Sequence, residues 1–292
     1  MESFVASKKE LFFKIKKKKK IKKYLHTYLP FTRAGIQAAM VFRTNFIAWF
    51  VGDIVYCLVM YYIWLAVFNA SREGMMNGFT MTDMTVFLFI TAMTRFLTDS
   101  DGSYDVGEEV KDGNIAMRLI KPVSFHSTFL FTEIGWKLLT FGLIFAPVVI
   151  GVEIYKYNAY GGFSLDIAAF LLYLISMIMS YLFSFYMNVC FGFMAFFLKN
   201  LWGFNIIKSS VLRFLSGAIV PLALMPGALR QVLEWMPFSS LCYTPVMIYM
   251  GKYAGSEIAL RLAIQFGWVI GFYFISKLIL STALRHVTVQ GG

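Results

Sequence analysis

The chain has 292 residues, of which 59% are hydrophobic, 18% aromatic and only 15% charged, and its mean hydropathy is +0.66. An average soluble domain is about one-quarter charged and below about one-half apolar, so a soluble enzyme, a disordered protein and a disulfide scaffold are excluded and a polytopic membrane protein remains. The net charge of +11 is uneven: residues 1–43 hold 12 Lys/Arg and 2 acids, while the other 249 residues hold 15 and 14.

The basic arm, 1–43, comes first. Ile21, Tyr24, Leu25, Tyr28 and Leu29 recur at i, i+3, i+4, i+7 and i+8, a one-sided apolar stripe. Lys16 to Lys20 precede the stripe, and Pro30 is expected to end the helix. An amphipathic helix with a basic flank lies in the membrane interface, where each Lys near an anionic inner leaflet contributes about 1 kcal/mol. Anionic lipids are therefore the expected partner of the arm, and nucleic acid is not.

Six spans follow, expected at 44–68, 81–98, 128–152, 164–198, 206–225 and 262–284, each long enough for about 20 apolar residues. The fourth is unusual, because 167–198 contains no charge; a tilted helix extending past the membrane accounts for it. Lys/Arg are concentrated in the arm and in alternate connections, which puts both termini in the cytoplasm and a long segment outside between the fifth and sixth spans. No signal peptide is recognisable, since Leu11 to Ile15 is too short for its apolar region. Ionisable residues inside the spans are functional candidates: Asp53, Arg95, and the i, i+4 pair Glu133 and Lys137. All four fall in the inner half. They form either an ion-pair network among the first three spans or part of a path. Gly267 and Gly271 fit a small-xxx-small contact in the last span.

Two connections depart from ordinary loops. The cytoplasmic one, 99–122, holds 6 of the 16 acids. Asp112-Gly113-Asn114 reads as a turn, and Ile115, Met117, Leu119 and Ile120 suggest a short helix ending near Pro122. Docking to another protein requires such an acidic segment with an apolar stripe; a helix lying on the bilayer fits less well, because the inner leaflet is negative. The external one, 216–250, contains Pro221, Pro226 and Pro237, each of which limits helix extension. Leu229, Val232, Leu233 and Met236 make an amphipathic stripe before Pro237-Phe238. Irregular backbone at membrane depth survives only when protein or a watery cavity covers it, so a re-entrant or interface-hugging element is expected here.

Other chemistry is not written in the chain. Cys57, Cys190 and Cys242 lack paired spacing, and His26, His126 and His286 are scattered. No GxxxxGK[ST] phosphate-binding loop occurs. No metal or cofactor is expected on this chain, and ATP-driven work would need ATP and Mg on another one.

The order of these features resembles the permease subunits of type-2 ABC exporters, of the bacterial drug- and antibiotic-export type. Asp112-Gly-Asn-Ile-Ala-Met-Arg-Leu-Ile-Lys-Pro-Val-Ser124 is similar to that family's segment before its third span. Ser216 to Pro226, with Leu229 to Phe238, is similar to its fifth-span signature, and Ala283 to Gly292 is similar to its C-terminal Gly-Gly tail. The resemblance implies an all-α membrane fold: a permease domain at 44–284 and a cytoplasmic tail at 285–292. It implies a second permease, identical or a sister chain, and a dimer of separate ABC ATPases in a bacterial plasma membrane. The 101–122 region would be the coupling helix, with Asp105, Glu108, Glu109, Lys111, Asp112, Gly113 and Arg118 facing the ATPases. Pro221, Pro226, Trp235, Pro237 and Phe238 would belong to an outer gate. The many Phe, Tyr and Met residues point to an apolar or amphipathic cargo such as a drug, an antibiotic peptide or a lipid. An ion-coupled carrier acting alone and a membrane-embedded lipid-modifying enzyme are the competing readings.

Overall fold

The computed structural model describes residues 2–71, 74–162, 166–198 and 201–286, with side chains omitted at 2–21, 43, 46, 119 and 284–286. The side chains of Lys16 to Lys20 and residues 287–292 of the tail lie outside the described part. The chain divides into two compact units, one made of Met1–Arg43 with Pro122–Leu139, the other of Thr44–Lys121 with Thr140–Gly292.

The first unit is a helix pair. Helix α1 runs Glu2–Val41 and carries Pro30 inside it, so Pro30 does not end the helix as expected. Proline removes one N–H and crowds the preceding turn; packing on both sides of Pro30 holds the helix together. The buried face of α1 is Tyr28, Thr32, Gly35 and Ala39, at i, i+4, i+7 and i+11. Among the described side chains of the expected apolar stripe, Tyr28 is enclosed, while Tyr24, Leu25 and Leu29 stay about half exposed. The partner of that face is the helix that begins at Phe125. The Tyr28 hydroxyl accepts from Ser124 N at 2.8 Å, Tyr24 Oη and Ser127 Oγ are 2.6 Å apart, and Tyr28 stacks on Phe131. Gly35 and Gly135 let the backbones touch: a Cβ on Gly35 would meet Thr132 O at 2.0 Å, and one on Gly135 would meet Thr32 O at 2.1 Å. Small residues at a helix crossing serve this purpose in membranes.

The second unit begins at Thr44, within α2 (Arg43–Ala70). A two-stranded antiparallel ribbon follows, β1 (Met75–Met76) and β2 (Phe79–Thr80). Its turn is Asn77-Gly78, both with positive φ, the pair that tight hairpins favour. This ribbon is the one departure from an otherwise helical fold among the described residues. Helix α3 (Met81–Thr98) opens with a capping box between Thr80 and Asp83. Then come α4 (Gly102–Lys111) and α5 (Asn114–Leu119). Helix α6 (Phe125–Thr140), which starts in the first unit, continues through a π-helical turn at Phe141–Phe145 into α7 (Ala146–Tyr160). Pro147 lacks the N–H that an α-helical turn would use, and a π turn is a usual way to absorb that loss.

Helix α8 (Ile167–Gly192) is started by the Asp166 side chain, which accepts from Ala168 N, and its last turn tightens into a 3-10 segment, Phe193–Phe196. After it come α9 (Leu201–Leu215), a 3-10 turn at Leu222–Leu224, α10 (Gly227–Trp235), a 3-10 turn at Pro237–Leu241, α11 (Tyr243–Tyr249) and α12 (Ser256–His286). The core gathers around α3, α8 and α11. Tyr173, Phe87, Met84, Tyr243, Val246 and Ile248 are at most 1% exposed there.

Among the described residues, four helices are long and apolar enough to cross a membrane: Ile47–Ala70, Phe125–Tyr160, Ile167–Phe196 and Ser256–Ala283. Two of the six expected spans fall outside this group. Helix α3 has 18 residues and carries Asp83 and Arg95. Helix α9 has 15 and stops at Leu215, short of the expected 225, because Gly217 takes a positive φ and the chain turns. The third span also runs past the expected 152. Glu153 and Lys156, read as loop residues, sit inside α7 as a buried pair at 2.9 Å, with the Tyr249 hydroxyl donating to the same Glu153 oxygen at 2.6 Å.

Candidate functional site

The charged segment after α3 folds as two short helices. Gly113 adopts a left-handed φ of 72° and breaks α4 from α5, in the turn expected at Asp112-Gly113-Asn114. Helix α4 is held from beneath. Val106 is fully buried, a Cβ on Gly192 would meet Val106 at 2.7 Å, and one on Gly107 would meet the Leu201 side chain at 1.9 Å. Ser103 Oγ donates to Asn205 Oδ1 at 2.7 Å. So α4 is clamped between α8 and α9.

The residues expected to face a partner separate into three groups. Glu108, Lys111, Asp112 and Gly113 are exposed. Glu109 is paired in a fork with Arg118, whose Nε donates at 2.7 Å, which fastens α4 to α5. Asp105 is partly buried; lost hydration, followed by the charges of Asp101, Glu108 and Glu109, pushes its carboxyl up to about 7. Asp105 is thus less open to a partner than Glu108 and Asp112. Ile115 is buried, whereas Met117 and Ile120 are 62% and 76% exposed. The element thus offers an acidic face ending in an apolar tip.

The expected intramembrane charges belong to both units. Glu133 and Lys137 lie on α6 in the first unit, Glu133 being buried. Asp53 and Arg95 lie in the second unit, where Asp53 is within electrostatic reach of Arg95 and Arg213. Arg95 is buried, and its Nε is 3.8 Å from Asp99 Oδ2, one turn on. Arg95 opens onto a cavity of about 250 Å³ where the end of α3, the start of α4, α8 and α9 meet. Asp99, Ser100, Asp101 and Tyr104 line it from one side, Ser184 and Asn188 from α8, and Asn205, Lys208 and Arg213 from α9. Lys208 Nζ donates to Asn188 Oδ1 at 2.6 Å and stands over the Phe191 ring at 5.2 Å.

This cavity was not anticipated from the sequence, although a signal exists. Ser176, Ser180, Ser184 and Asn188 repeat every four residues in an uncharged span and so share one helix face. The upper half of the stripe is tied to Gln265 of α12. Its Oε1 accepts from Ser176 Oγ at 2.8 Å, and its Nε2 donates to Ser176 O, Ser180 Oγ and Ser240 O at 2.9–3.0 Å. The lower half faces the cavity.

The expected gate residues also take definite places. Pro221 and Pro237 are buried and Phe238 half-buried, while Pro226 and Trp235 are exposed. Helix α11 behind them is buried throughout. In the α10 stripe only Leu233 is enclosed; Leu229, Val232 and Met236 remain exposed. Glu234 pins this segment: it accepts from Arg230 Nε at 2.7 Å and pairs with Arg261 of α12. The hairpin reaches the same segment through Asn77 Nδ2, which donates to Ala223 O at 3.0 Å. Lys252 closes on Asp83 at 3.3 Å. A Cβ on Gly267 or Gly271 would touch nothing among the described residues.

The family model described as ABC-2 family transporter protein matches residues 39–291 of this chain. A search of curated proteins found no match.

Proposed function

Since the chain belongs to the ABC-2 transporter family, as a multi-pass membrane transport subunit, we propose that it is the permease of an ABC exporter whose ATPase is a separate polypeptide. The permease carries an apolar or amphipathic compound outward through the plasma membrane of a bacterium. ATP and Mg are bound by the ATPase, and this chain supplies the path and the mechanical link. Two permeases, identical or sister chains, stand on an ATPase dimer. Both termini face the cytoplasm, and the basic arm rests on anionic lipids.

One observation carries the reading: α4 and α5 present exposed acids and the bare side chains of Met117 and Ile120 on a base clamped to α8 and α9. A clamped element transmits displacement to the helices behind it, whereas a loose loop absorbs it. An apolar tip ringed by charge is the usual composition of a specific contact. The outer residues Pro221, Pro226, Trp235, Pro237 and Phe238 then close the far end of the path, with Glu234 and Lys252 latching that end.

Charge reversal tests the docking. Glu108→Lys together with Asp112→Lys leaves the internal Glu109–Arg118 fork intact. We expect co-purification of the ATPase to fall at least about fivefold, since clustered charge contributes several-fold to association, with thermal unfolding of the permease unchanged. Full retention of the ATPase by the doubly reversed chain would remove α4 from the interface.

A further inference from the structure

The lining of the cavity beside Arg95 includes two residues with a buried donor atom that finds no acceptor among the described residues. Arg95 Nε and Asn205 Nδ2 are both buried and, among the described residues, make no hydrogen bond. Asp99 stands 3.8 Å from Arg95 Nε, beyond hydrogen-bond length. Both orphan atoms are donors. A buried donor without an acceptor costs about 1–3 kcal/mol, and an ionisable residue inside a span, such as Arg95, is by default a functional candidate. The lining includes three cations, Arg95, Lys208 and Arg213, against two acids, Asp99 and Asp101. Of the acids, Asp99 already faces Arg95 and its side chain is 63% exposed. Lys208 is steered inward by Asn188. The lining cations outnumber the lining acids, and the two orphan donors have no acceptor among the described residues.

We propose that this cavity receives the carboxylate or phosphate group of an amphipathic anion, and that cargo of this class is what the permease carries. The inference rests on the transport reading above and sharpens it: the cargo is an anionic amphipath. Arg95 and Asn205 donate to the oxyanion, and Lys208 supplies a second positive charge. A volume of about 250 Å³ holds the head group and the first few carbons. The apolar remainder leaves past Trp49, which lines the cavity and is 64% exposed on α2. The location also joins cargo to motor: Asp99, Ser100, Asp101 and Tyr104 of the lining lead directly into α4.

Binding of radiolabelled oleate to the purified full-length permease in a non-ionic detergent tests this. Oleyl alcohol serves as the uncharged analogue and inorganic phosphate as the headless anion. Arg95→Gln, Asn205→Leu and Lys208→Gln are measured beside Lys252→Gln, which lies outside the cavity. We expect oleate to compete at least about tenfold better than oleyl alcohol. Arg95→Gln and Lys208→Gln should each cut that preference at least about fivefold, while Lys252→Gln keeps it. Displacement of oleate by millimolar phosphate would assign recognition to the oxyanion alone. Displacement by oleate only would assign it to the amphipath. Both support an anion site. Equal competition by oleate and oleyl alcohol, or a preference untouched in Lys208→Gln and Asn205→Leu, overturns it. Arg95→Gln is the variant at risk of misfolding, and the other two keep the test decisive. No ATPase is present in this assay, so its failure leaves the docking result of Glu108→Lys with Asp112→Lys to stand or fall separately.

Discussion

Single residues set the tolerances of this protein. Gly135 faces Thr32 O so closely that a methyl group would sit 2.1 Å from it. Gly135→Ala must therefore push α1 off α6 at a cost of about 2 kcal/mol, in the range for overpacked sites. Thermal unfolding of the purified chain should show a lower midpoint, while Gly267→Ala, where a Cβ meets no described atom, leaves it unchanged. Asp105 offers a second test. Its carboxyl is held at about 7, above its ordinary 3.8, by lost hydration and neighbouring acids. Between these values the folded chain holds a proton that the unfolded chain has released, so stability falls as pH rises toward 7 and levels off above it. Asp105→Asn removes this slope. The variant should gain thermal stability over the parent at pH 8 and lose that advantage at pH 4. Gly135 and Asp105 also mark a limit of reading from sequence. Which glycine touches a backbone depends on the helix crossing, and the burial of Asp105 depends on α8 and α9 beneath α4.

Elements were legible where their periodicity was undisturbed. Helices α2, α8 and α12 follow from long apolar runs, and the break at Gly113 follows from Asp-Gly-Asn turn chemistry. Errors arose where charges or prolines sat inside helices. Glu153 and Lys156 looked like the end of a span, yet they neutralise each other and take a Tyr249 hydrogen bond within α7. Pro30 looked like a stop, yet tertiary packing carries α1 through it. The Asn77-Gly78 hairpin leaves little periodicity in the sequence, because its strands are two residues each. The polar stripe on α8 was legible in principle, but the glutamine that satisfies it lies 89 residues away from Ser176. Gln265→Leu strips acceptors and donors from Ser176, Ser180 and Ser240 together. It should cost about 2 kcal/mol, since buried partners are left unsatisfied. Denaturant or thermal unfolding would measure the loss; Ser281→Ala, whose hydroxyl is exposed and bonds only within its own helix, is the matched control.

For the whole molecule, composition and charge placement led to a membrane protein with a basic arm, and the order of features led to the family that the match over 39–291 establishes. The second unit then places an apolar-tipped acidic element, a cavity lined by Arg95, Lys208 and Arg213, and a segment pinned by Glu234 along one set of helices. The proposed function assigns these parts to motor contact, cargo binding and outer closure. The account depends most on the first of them. A photoreactive benzoylphenylalanine placed at Met117, 62% exposed at the tip of α5, tests it in native membranes, with the same probe at exposed Trp235 as reference. The account predicts an adduct between the permease and an ABC ATPase from position 117 and none from position 235. An ATPase adduct absent at 117, or equal at both positions, would contradict it.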